Sequence, residues 1–124
     1  MTNNTAYKLL ENLSKLENID YPVLVAYSIA HAKKLLTDAL QPYSVSREAV
    51  ISKYLARLPE GADTITAKDN PELYKSCAEE LMKIGELPLD IAGKFRKFPV
   101  SELGDMKVSI ETMETLSFLI AEDE

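Results

Sequence analysis

Four features of this sequence could carry chemistry: the only histidine, His31, the only cysteine, Cys77, the adjacent acids Glu79 and Glu80, and a basic run of Lys94, Arg96 and Lys97 interleaved with Phe95 and Phe98. A histidine can relay protons or bind a metal, but either use needs a second ligand, a nucleophile or a paired acid beside it. At helical spacing His31 shares its side with Lys34 and Asp38 and has no histidine or cysteine companion, so a surface histidine is expected. Cys77 falls on the apolar side of its segment, where a free cysteine behaves as a small hydrophobe; a reactive thiol wants exposure and a positive setting. Glu79 and Glu80 are adjacent on a helix and therefore diverge, which makes them solvated acids rather than an acid-base pair.

The glycines, at positions 61, 85, 93 and 104, are too scattered for a dinucleotide or phosphate-binding loop. No catalytic residue, metal ligand or cofactor is therefore expected, and the chain reads as a non-enzyme. The run from Lys94 to Phe98 is where cations and aromatics interleave, as they do on surfaces for nucleic acids or acidic partners. A strand with its phenylalanines inward and its cations outward gives the same letters and is the preferred reading.

These side chains must be held by a modest core. A chain of 124 residues with 46% hydrophobic composition fits one domain over 1–124, since a split would leave two cores too small to stand alone. Fourteen basic and twenty acidic residues give a net charge of −6, which repels phosphate backbones and anionic lipids and disfavours nucleic-acid binding. Acidity of this size also serves simple solubility. No run of apolar residues is long enough for a membrane span. A single cysteine and an N-terminus without a signal-like pattern make the cytoplasm the expected compartment.

Helical periodicity dominates the chain. Ala6, Leu9, Leu10, Leu13 and Leu16 form one stripe over residues 5–17. Asp20 and Pro22 then look like a helix start, with the aspartate as cap. From Val23 to Tyr43 the main stripe is Val25, Ile29, Ala32, Leu36, Ala39, Leu40 and Tyr43, while Val23, Ala26, Tyr27 and Ala30 form a second apolar flank. A helix apolar on two sides should meet neighbours on two sides. Pro42 should bend or end it, and Ser46 could cap a resumed helix running to Leu58, which leaves one bent helix or two.

Residues 59–70, PEGADTITAKDN, are dense in turn formers and read as an exposed loop with a short extended piece near Ile65. Asn70, Pro71 and Glu72 open a helix to about Ile84 with Leu73, Cys77, Leu81 and Ile84 inward, and Gly85 as its stop. Beyond it, Leu87, Leu89 and Ile91 alternate with Pro88 and Asp90, and Phe95, Phe98 and Val100 follow, which predicts two short extended segments limited to an edge by Pro88 and Pro99. Ser109 and Glu111 open a last helix with Ile110, Met113, Leu116, Ser117 and Ile120 on one face, before an acidic AEDE end.

The layout of AYSIAHAKKL, NPELYKSCAEEL and ELPLDIAGKFRKFPVSELGDMKVSIETMETLSFLI resembles a group of small tailed-phage and prophage proteins of uncharacterised function, over nearly all of residues 20–120. The resemblance is one of pattern, a helical hairpin followed by a proline-containing extended segment and a short helix, and brings no functional residues with it. Pro42 departs from it by interrupting a stretch that is usually unbroken helix. It implies a phage or prophage setting inside a bacterial cell.

The expected fold is mainly α, or α-rich α+β: residues 22–58 and 71–84 as an antiparallel helical hairpin, covered by the remaining helices and a small two-stranded element within 87–100. The expected function is that of a phage or prophage accessory or assembly protein working through protein contacts, with an acidic inhibitor of a host enzyme or nucleic-acid machine as the alternative. Val23, Tyr27 and Ala30, with Lys94, Arg96 and Lys97, are the candidate interaction surface. The partner is a phage protein, a host protein or a second copy, since the second helix has more apolar circumference than one neighbour covers.

Overall fold

The computed structural model describes residues 1–121; the acidic residues Glu122, Asp123 and Glu124 lie outside the described residues. The chain is mainly helical, with α1 (Asn3–Ser14), α2 (Val23–Ala39), α3 (Gln41–Leu55), α4 (Pro71–Gly85) and α5 (Ile110–Leu116), and short 3-10 turns at Ala92–Lys94, Val100–Leu103 and Ser117–Leu119.

α1 starts earlier than its apolar stripe suggests, because the Thr2 hydroxyl accepts a hydrogen bond from the Thr5 amide at 3.2 Å. α2 carries the core: Val25, Ser28, Ile29, Ala32 and Leu36 are buried on one face, the spacing that aligns side chains along a helix. Around it Ala6 and Leu13 of α1, Leu40, Tyr43, Ile91, Phe98, Leu103, Leu116 and Leu119 close one contiguous cluster. Full burial of each large member contributes on the order of 1.5–3 kcal/mol.

The expected Asp20 cap does not form. Pro22 is the N-cap residue and makes no side-chain hydrogen bond, while its carbonyl receives the Ala26 amide at 2.9 Å. α2 and α3 are separate helices that meet at Leu40, whose backbone stays in the helical region at φ −85° and ψ −2°. Pro42, in the first turn of α3, has no amide to continue the α2 ladder, so the break falls just before it. Ser46 lies inside α3 and caps nothing, and the helix stops at Leu55 rather than Leu58.

The loop over residues 59–70 holds turns and no strand. Asn70 occupies the N-cap position of α4 without a side-chain cap hydrogen bond, while Pro71 and Glu72 take their expected places in the first turn. Gly85 is the last residue of α4 and does not have the left-handed backbone of a glycine stop, since only Gly61 and Gly104 have positive φ. It is needed for closeness: a Cβ there would overlap the Asn4 side chain of α1. Beside it the Asn3 amide group donates to the Ile84 carbonyl at 2.8 Å.

The expected two-stranded element within 87–100 is not present among the described residues. Its two extended pieces instead pair with other parts of the chain, as single bridges between Thr2 and Pro88 and between Phe98 and Ile120. Pro88 and Pro99 cannot donate to a ladder, so neither piece extends its pairing. In the last helix the inward side chains are Thr112, Leu116 and Leu119, with Met113 half-buried; Ile110 is 75% exposed and Ser117 is exposed. The Ser109 hydroxyl caps α5 by accepting from the Thr112 amide at 3.1 Å, which turns Ile110 outward.

α3 and α4 pack chiefly on each other. Near α1, Tyr43 and Arg47 of α3 meet Tyr7, at 5.9 Å between ring centroids and 5.7 Å from the guanidinium carbon to the ring. Ile84 and Gly85 of α4 meet Asn3 and Asn4 of α1. Farther along, Tyr54 and Cys77 are buried between α3 and α4, separate from the main cluster. Lys53 Nζ reaches Glu80 Oε1 at 2.7 Å and, by that hydrogen bond first, holds the Glu80 carboxyl below its usual range.

Candidate interaction surface

The solvent side of α2 begins with Val23, 80% exposed, and continues through Tyr27, 57% exposed, to Ala30. The Tyr27 ring lies nearly parallel to that of His31, 6.2 Å away and inclined by 23°. Stacking removes part of the ring's rotational freedom, so Tyr27 is partly ordered before any partner arrives. His31 is half-buried beside it, with Nδ1 enclosed and without a hydrogen-bond partner among the described residues.

One flank of this ridge falls into a groove of about 210 Å³ lined by Leu24, Tyr27, Ser28, Arg96, Lys97, Phe98 and Pro99. The other flank falls into a cleft of about 360 Å³ whose lining includes Ala26, Ala30 and Lys33 of α2 and Glu17, Ile19 and Tyr21 of the preceding connection.

Two anchors bring the basic run to α2. The Phe98 amide donates to the Leu119 carbonyl at 2.8 Å, and the Ala121 amide donates to the Phe98 carbonyl at 2.9 Å. Phe98, 1% exposed, is thereby fixed in the core, and Leu103 buries again after the turn at Val100–Leu103, which packs on α2. Phe95 meets Phe118 edge-to-face at 5.2 Å. With both phenylalanines inward, Arg96 and Lys97 stay exposed along the groove. The inward and outward sorting expected for this segment is present, but on a bridge and turns rather than a strand.

Among the residues singled out from sequence, Tyr27, Arg96 and Lys97 thus meet in one groove, with Val23 on the adjoining ridge. Ala30 faces the other cleft, and Lys94 ends the Ala92–Lys94 turn, exposed and away from the groove. Leu24, Ser28 and Pro99 carry no such signal in the sequence; Leu24 reads as one more apolar letter beside Val23, and only the packing of residues 96–99 makes it a wall. Neither Arg96 nor Lys97 forms an ion pair with a carboxylate among the described residues.

A third cleft, of about 470 Å³, opens between α3, α4 and the loop before α4, with Ile51, Leu55, Ile65, Tyr74, Cys77 and Leu81 in its lining. Cys77 is 9% exposed at its base. Among the described residues there is no group of three histidine, cysteine or acidic side chains arranged to hold a metal ion. No helix among them is long and apolar enough to cross a membrane.

Compared with protein-family models, curated proteins and solved structures, the chain matches none.

Proposed function

We propose that this is a non-enzymatic accessory or assembly protein, encoded by a phage or prophage and acting in the bacterial cytoplasm through protein contacts made by the α2 ridge and its groove. One observation carries the reading: exposed apolar and aromatic side chains of α2 converge with two cations that have no ion pair among the described residues, Arg96 and Lys97, 69 and 70 residues after Tyr27. Aromatic and arginine side chains around a small apolar depression are the composition of protein-binding hot spots. The partner is a phage protein, a host protein or a second copy of the chain.

The antiparallel hairpin belongs to the same proposal, narrowed to α3 and α4. Its support is that the start of α3 and the end of α4 both touch the first turns of α1, so the two helices run in opposite senses away from it.

A second reading, an acidic inhibitor of a host enzyme or nucleic-acid machine, draws on the loop before α4. There Glu60, Asp63 and Asp69 are exposed with Lys68 alone among them, and Glu72 in the first turn of α4 is exposed beside them. Photo-crosslinking in infected cells separates the two. A benzoylphenylalanine placed at Val23 should yield a crosslink to a virion component, another phage protein or a second copy. A crosslink to a host nuclease or polymerase from position 60, with none from position 23, would reject the first reading in favour of the second.

A further inference from the structure

We infer that the groove between α2 and residues 96–99 binds an acidic segment of a partner protein, with one medium-sized apolar side chain seated on Phe98 and Pro99 and carboxylates beside Arg96 and Lys97. This rests on the reading of the α2 surface as a protein-binding site and names the chemistry of its partner.

Charge complementarity is the first argument. The protein carries −6 overall, yet at this groove two adjacent cations are exposed and have no carboxylate within ion-pair distance among the described residues. Elsewhere Lys8 and Lys15 pair with Glu11, Lys34 with Asp38 and Lys53 with Glu80, while other exposed cations such as Lys75 and Lys83 stand alone among the described residues; Arg96 and Lys97 differ in being adjacent and in lining an apolar groove. A carboxylate brought to Arg96 displaces no partner among the described residues, and arginine can take it through two parallel hydrogen bonds.

Size is the second. At about 210 Å³ the groove is below the range of roughly 300–1,000 Å³ typical of small-molecule sites, and it is open. Leu24 and Tyr27 form one wall, while Phe98 and Pro99 form an apolar base with little polar surface beyond the buried Ser28. Such a depression accepts the tip of a leucine, isoleucine or phenylalanine side chain. A nucleic acid would meet the same two cations, but the remaining charge of the protein repels its backbone along the rest of its length.

Order is the third. Phe98 is pinned by two backbone hydrogen bonds and Tyr27 is stacked on His31, so the base of the groove and its Tyr27 wall are set before binding, which lowers the ordering cost when it fills.

The test is selection from a random peptide library displayed on beads, using the full chain as bait, with counter-selection on the Arg96→Glu, Lys97→Glu double variant. Peptides rich in aspartate and glutamate around a single leucine, isoleucine or phenylalanine should be enriched. For one such fluorescent peptide, the double variant should weaken affinity at least tenfold, Tyr27→Ala by several-fold, and a rise from about 50 to about 500 mM salt should weaken it further. Unchanged circular dichroism of the variants excludes misfolding as the cause. No enrichment, enrichment of neutral or basic peptides, or an affinity indifferent to charge reversal overturns the inference. If the crosslink from Val23 nevertheless forms, to a second copy or to a neutral partner, the protein-binding reading stands while this assignment falls; loss of both removes both.

Discussion

The Thr112 hydroxyl donates a hydrogen bond to the Glu17 carboxylate at 3.1 Å, joining the end of the α1 region to the first turn of α5 across 95 positions of sequence. The Ser109 amide donates to the same oxygen at 3.1 Å, and the Tyr21 hydroxyl donates to the Glu17 carbonyl at 3.0 Å. One acid therefore ties together α1, the connection to α2 and the cap of α5. Glu17→Ala should lower the thermal midpoint by a few degrees, because it strands the Ser109 amide and the buried Thr112 hydroxyl. An unchanged midpoint in thermal circular dichroism would reject this role.

The same contacts set a pH dependence. Hydrogen bonds from the Ser109 and Thr112 groups hold the Glu17 carboxyl below its ordinary range, so the folded chain binds this proton less readily than the unfolded chain does. Stability from Glu17 is therefore fully present above the ordinary glutamate range of about 4.3, and is lost as pH falls through the lower folded value. Urea midpoints measured between about pH 6 and pH 3 should fall more steeply for the unaltered protein than for Glu17→Gln. Parallel curves would contradict the assignment.

Phe98 is the core residue on which the groove depends. Phe98→Ala removes a side chain that is 1% exposed and opens a cavity beneath Arg96 and Lys97, at a cost of about 3–5 kcal/mol. A large fall in the urea midpoint is expected, close to the whole stability of a small domain. A loss under about 1 kcal/mol would show that the site collapses without harm.

Arg96 and Lys97, by contrast, should be dispensable for folding. Both are exposed and unpaired among the described residues, so the double change to glutamate should move stability by no more than about 0.5 kcal/mol in either direction. Strong destabilisation would make them structural and remove them from the candidate surface.

Cys77 reports on the α3 and α4 pair. Because it is 9% exposed, its thiol should react slowly with a disulfide reagent, at a rate governed by local opening rather than by the whole protein unfolding. Tyr54→Ala, which removes the other side chain buried between these helices, should speed labelling by about tenfold or more while leaving the α1 and α2 core in place. Equal rates would mean that Cys77 is protected by the main core.

Local sequence is enough to say where this chain can be helical and which side of each helix is apolar. The 3.6-residue period of Val25, Ile29, Ala32 and Leu36, the Asn70-Pro71-Glu72 start and the Ser109 cap are local signals, and local signals suffice for such elements. Pro42 likewise announced the end of α2, though not that the chain would resume helix at once, at Gln41. Residues 87–100 were different. Their alternation is also local, but pairing needs a second strand, and which backbone supplies it depends on segments far away in sequence. Thr2 and Ile120 supplied it, one bridge each, because the prolines prevent any longer ladder. Gly85 read as a stop and proved to be a point of close approach to Asn4, a contact no window of sequence contains. The candidate groove follows the same division. Tyr27, Arg96 and Lys97 could be picked out by type, but only burial of Phe98 and Leu103 on opposite sides of residues 99–102 brings the cations against α2.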